Sequence, residues 1–188
     1  MGITEYGVVL FLHIGAVIVG FMIAGVLHVS LHCLVRAKTV AEMRPFARLV
    51  HRLEPLLPIS AVFILGFGAW LIHLTHGGIG WGDGWILVAL ITLVVVEGLA
   101  GALLAPRTKE LIAAIDVAPD GAVSTELRKQ AANPIIWDIA HTGTVGFLGV
   151  VLVMTNQPSG GGASAIVVIA VAIGIVLSRL QLRAAASR

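Results

Sequence analysis

Five stretches of this chain, about 7–35, 55–75, 85–105, 135–156 and 163–182, are almost free of charge. Each is close to or above the roughly 20 apolar residues that a helix needs to cross a hydrocarbon core of about 30 Å. A segment of that kind has little choice of fold, because its backbone polar groups must bond within the segment itself. Apolar residues make up 58 % of the 188-residue chain and charged residues 12 %, against roughly 45–50 % and 25 % in soluble domains. A disordered chain, a nucleic-acid binder and a disulfide-stapled secreted module are excluded. The single cysteine, Cys33, has no internal partner and reads as a small apolar residue. The expected class is all-α: a single-domain polytopic membrane bundle of five transmembrane helices.

The cations give the expected orientation. Arg36, Lys38, Arg44, Arg48 and Arg52 fall in the 36–54 connection. Arg107, Lys109, Arg128 and Lys129 fall in the 106–134 connection, and Arg179, Arg183 and Arg188 at the C-terminal end. None lies at the N-terminus or in the connections 76–84 and 157–162. The positive-inside rule then predicts an outside N-terminus, a cytoplasmic C-terminus and cytoplasmic loops 36–54 and 106–134. Trp70, Trp81, Trp85 and Trp137 are expected at the interfaces, and Pro106 is expected to close span three. Span one lacks a basic leader and reads as a retained anchor.

The connections read as follows. Residues 76–84 are glycine-rich but lack the strand and lysine of a phosphate loop, so they predict a tight turn. Leu111, Ile112 and Ile115 stand at helical spacing and predict a short helix on the membrane surface. Ala118-Pro119-Asp120-Gly121 is a turn signal, and Ser124 is placed to cap a second short helix. Ala16, Gly20 and Ala24, and Gly143, Gly146 and Gly149, give small-residue stripes of the kind that let helices pack closely.

Seven histidines in so apolar a chain are the main functional signal, since an ionisable group at membrane depth is costly and points to function by default. At about 1.5 Å per residue, His28 lies roughly 12 Å, Glu97 roughly 13 Å and His141 roughly 10 Å in from the basic side. Asp138 shares a helix face with His141 and is placed to orient its ring. His32 lies one turn from His28, with His51 and Glu54 near the inner surface. His13 and His73 lie in the outer half, and His76 is interfacial. Four readings compete. His28 and His141 are placed to hold a haem b between two helices, with His13 and His73 as a second pair. His28, His32, His141 and Glu97 offer a divalent-metal set. Glu97, Asp138 and His141 offer a proton or ion relay. Finally, the imidazoles simply hold helices in register.

Span one reads Phe11-Leu12-His13-Ile14-Gly15-Ala16-Val17-Ile18. It resembles the first helix of a superfamily of small multi-span bacterial membrane proteins. That superfamily includes copper-resistance D-type membrane domains, HemJ-type protoporphyrinogen oxidases and an uncharacterised family of predicted integral membrane proteins. Gly66-Phe67-Gly68-Ala69-Trp70-Leu71-Ile72 and Leu104-Ala105-Pro106-Arg107 are similar to the last of these. The resemblance implies a bacterial inner-membrane location and haem association at His13. The sequence departs from the HemJ-type pattern in having Val19-Gly20-Phe21 after that histidine and Glu97 in place of a buried lysine. The functional expectation is a haem b electron-transfer protein or redox subunit. His28, His141 and His13 would bind the cofactor, Asp138 and Glu97 would support it, and a quinol or a redox protein would be the partner. The alternative is a non-enzymatic membrane subunit or a small proton or ion transporter.

Overall fold

A computed structural model describes residues 3–186, so Arg188 lies outside the described residues. Eight α-helices account for most of the chain: α1 (Glu5–Arg36), α2 (Val40–Leu53), α3 (Leu56–Leu74), α4 (Gly84–Leu99), α5 (Ala105–Val117), α6 (Thr125–Ala131), α7 (Pro134–Asn156) and α8 (Gly160–Ala186). Five helical segments are long and apolar enough to cross a membrane. The protein is an all-α bundle of the kind found in multi-pass membrane proteins.

The long helices form two groups. α1 packs along α3, while α4, α7 and α8 pack on one another, with α7 and α8 the closest pair. Missing side chains set these approaches. A Cβ on Gly20 would stand 3.2 Å from Ser60 Oγ, in the α1–α3 seam. A Cβ on Gly149 would stand 2.8 Å from Ala170 Cβ, and one on Gly174 would stand 2.7 Å from Thr142 Cα. The predicted small-residue stripes are therefore packing seams.

At the basic end the two groups are tied together by a cap that resembles a soluble core. Leu31, Leu34, Met43, Val50, Leu111, Ile115 and Trp137 bury one another there. Helix α2 was not anticipated within the 36–54 connection. Its signal was present, with Val40, Met43, Ala47 and Val50 at helical spacing and all buried. Thr39 accepts from Glu42 N–H at its start, and the Glu42 carboxylate accepts from Lys38 N–H at 2.7 Å, close to a capping box. The apolar side of helix α5, expected to meet lipid, meets protein instead. Leu111, Ile112 and Ile115 face inward against α2 and the end of α1, because the cap supplies the apolar partner that lipid was expected to supply.

Pro106 does not close span three. Without an N–H it cannot bond the carbonyl of Ala102, and the chain widens into a π-helical stretch, Ala100–Leu104, before continuing as α5. Such π-turns accommodate a break in the α-helical ladder without ending the helix. The 118–121 turn is clipped back to the start of α2. Val40 N–H donates to Gly121 O, Val123 N–H donates to Lys38 O, and Arg44 pairs with Asp120. Gly121 sits at φ 140°, where a side chain is rarely accepted. Ser124 caps α6 as expected, accepting from Leu127 N–H. Trp137 leaves the predicted aromatic belt. It is 1 % exposed, and its indole N–H donates to Ala131 O at 3.0 Å.

Candidate functional site

Two imidazoles meet where α1 crosses α7, just beneath the cap. The rings of His28 and His141 touch edge to face, with centroids 4.9 Å apart. The expected common depth of these two residues corresponds to a real contact. Each ring is held by its own helix: His28 Nδ1 lies 2.9 Å from Ala24 O, and His141 Nδ1 lies 2.9 Å from Trp137 O. A carbonyl can only accept, so both Nδ1 atoms carry the proton and both Nε2 atoms carry the lone pair in the neutral rings. Trp137 also flanks the pair, its ring 5.7 Å from that of His141.

His32, one turn along α1, has the opposite tautomer. Its Nδ1 accepts from Gln181 Nε2 at 2.5 Å, linking α1 to α8. His32, Gln181 and His141 line one open groove of about 390 Å³, with Leu177, Leu180 and Ala184 as its apolar wall. Gln181 was missed in the sequence. The available signal was a lone amide between Arg179 and Arg183, at the basic end of span five.

Asp138 does not orient His141. Its carboxylate accepts from Ser178 Oγ and from Arg179, each at 2.6 Å. Three residues along α7 bring it toward α8, where the guanidinium gives a charge-assisted bond. The Trp137 carbonyl takes the orienting role instead. Glu97 is only half-buried on α4, and its carboxyl makes no hydrogen bond or ion pair among the described residues. Nothing joins it to either imidazole. No three His, Cys, Asp or Glu side chains converge on a metal-sized site among the described residues, so the set of His28, His32, His141 and Glu97 is not assembled. His13 serves the α1–α3 seam, its Nδ1–H donating to Ile64 O at 3.0 Å. A Cβ on Gly68 would press within 3.3 Å of that ring. His73 is exposed near the end of α3 and does not pair with it.

The donor chemistry at His28 and His141 suits a haem iron, but the spacing does not. With metal–nitrogen bonds of about 2 Å on each side, two axial imidazoles stand with ring centres about 6 Å apart and a porphyrin between them. Here the rings fill that space themselves.

The chain matches no protein-family model, no curated protein and no solved structure. The likeness of span one to the small bacterial membrane families rests on the residues quoted above.

Proposed function

We propose that the protein is a small inner-membrane protein, with its basic end in the cytoplasm, that relays protons between water at that end and an acceptor within the bilayer. The observation that carries this reading is the pattern of tautomers. His28 and His141 present Nε2 as acceptors, and His32, beside them, is the Nε2–H form. Because each Nδ1–H of the touching pair is held by a carbonyl, a proton does not pass through the ring. It enters and leaves by Nε2. One proton serves the pair, because two imidazolium charges about 5 Å apart repel by about 3 kcal/mol at an effective dielectric of about 20. Trp137 and Ala24 keep the rings aimed while the proton moves.

A second reading is haem b with His28 and His141 as axial ligands, which the same tautomers favour. It requires α1 and α7 to part by more than an ångström, and with it would come electron exchange with a quinol or a redox protein.

One sample tests both. In nanodiscs carrying ¹⁵N-histidine protein, His28 and His141 should be assignable by His28→Phe and His141→Phe. Both should give neutral Nδ1–H signals, and the pair should take up a single proton on acidification. Rings that stay neutral for as long as the protein stays folded would identify them as structural and end the relay. A reduced-minus-oxidised b-type band, lost in either variant, would replace the relay with haem.

A further inference from the structure

We propose that Glu54 and Thr108 form a proton-operated clasp in the cap, closed while Glu54 is a carboxylic acid and released when it ionises. The clasp joins the corner between α2 and α3, where Glu54 lies, to the first turn of α5, just beyond the π-helical stretch and Pro106. It involves neither His28 nor His141.

One hydroxyl carries the inference. Thr108 is 3 % exposed, and four oxygens crowd its Oγ1. They are Glu54 Oε1 at 2.8 Å, Glu54 Oε2 at 3.0 Å, Ala105 O at 3.0 Å and Leu104 O at 3.2 Å. A hydroxyl has a single proton to give. The helix itself sets a threonine hydroxyl beside the carbonyls three and four residues back, where it can donate. When Thr108 donates there, Glu54 can bond to it only as a protonated donor. The two bonds then run in one direction, from Glu54 through Thr108 to the α5 backbone, and each strengthens the other. An ionised Glu54 reverses this. It takes the one proton of Thr108, and its carboxylate has no second donor among the described residues. A half-buried carboxylate needs more than that, or a cation.

No cation makes up the difference. The ion pairs among the described residues are Arg44–Asp120 and Arg179–Asp138. On α2, His51 lies three residues back and favours the carboxylate when charged, while Arg52 is exposed. On α5, Arg107 is turned to Leu103 O at 2.7 Å, and Lys109 and Glu110 are exposed. The π-helical stretch and the first turn of α3 carry no charge. Burial pushes the Glu54 carboxyl above the usual carboxylate range, outweighing the Thr108 bond and His51, which lower it. The acid form therefore belongs to the closed clasp. Closure is complete below the ordinary glutamate range and is lost as pH rises through the folded-state value.

The test uses the full chain in nanodiscs. Infrared spectra of ¹³C-glutamate protein should show a carboxylic-acid C=O band that fades as pH rises and is missing from Glu54→Gln. Over the same range, hydrogen-exchange protection of the backbone at 107–112 should fall by up to about tenfold per pH unit once the proton has left. Glu54→Gln keeps a donor at every pH and should hold the protection of the closed clasp throughout. Thr108→Val keeps the shape but loses the hydroxyl, and should show low protection with no pH step. A folded protein with no titrating Glu54 acid band would overturn the inference. So would full protection in Thr108→Val, or a pH-dependent loss of protection that persists unchanged in Glu54→Gln.

Discussion

At the residue scale the site depends on glycines as much as on histidines. Gly174 lets α8 approach α7 at Thr142, and the carbonyl of His141 lies 2.9 Å from where its Cβ would stand. Two effects of Gly174→Ala oppose each other. Helix propensity gains about 1 kcal/mol, while overpacking against backbone that cannot swing aside costs about 1–3 kcal/mol. The second should win, so Gly174→Ala should lower the unfolding midpoint in detergent and disturb the His141 signals. Gly66→Ala, with nothing within 4 Å of the added carbon, should leave the midpoint unchanged or raise it. If the two substitutions behave alike, the α7–α8 contact is not as close as described. Residue type and depth made His28 and His141 legible in the sequence. The fate of Asp138 was not, because the spacing that brings it near His141 also brings it near α8, and only the helix arrangement put Arg179 there.

Among the elements, α2 carries the cap. Met43 is fully buried between α2 and its neighbours, and Thr39 satisfies the N–H of Glu42, one of the free donors of the helix's first turn. Met43→Ala should cost about 2–5 kcal/mol and Thr39→Ala about 1 kcal/mol, both read by thermal unfolding. Because the 118–124 segment is clipped to the start of α2, both variants should also cut faster there under limited proteolysis. Equal protease resistance would mean that α2 does not organise the cap. The helical spacing of Val40, Met43, Ala47 and Val50 was readable in advance, but a cluster of cations draws attention to solvent and away from a core. Span three misled for a related reason. Pro106 ends most helices, yet here the packed surfaces of α4 and α5 continue on either side, and a π-turn is the smaller disturbance.

For the whole molecule, the segregated charge predicts sidedness, and the two-group packing predicts where the bundle is held together. With Cys33 replaced by Ala, an impermeant maleimide applied to intact cells should label Gly78→Cys and spare Lys129→Cys until the membrane is opened. The opposite pattern would invert the orientation. The sequence by itself determined the number of long apolar helical segments and the sorting of cations to one end. Those features follow from the cost of exposing backbone and charge to hydrocarbon, which each segment meets alone. It also determined which imidazoles lie at a common depth, since depth is counted along a single helix. Only the tertiary structure decided that His28 touches His141, that His13 turns to α3 and that Glu97 joins neither. Those outcomes depend on which helix faces which. In helices that are apolar nearly all round, no hydrophobic stripe announces a partner, and glycine contacts and single hydrogen bonds make the choice.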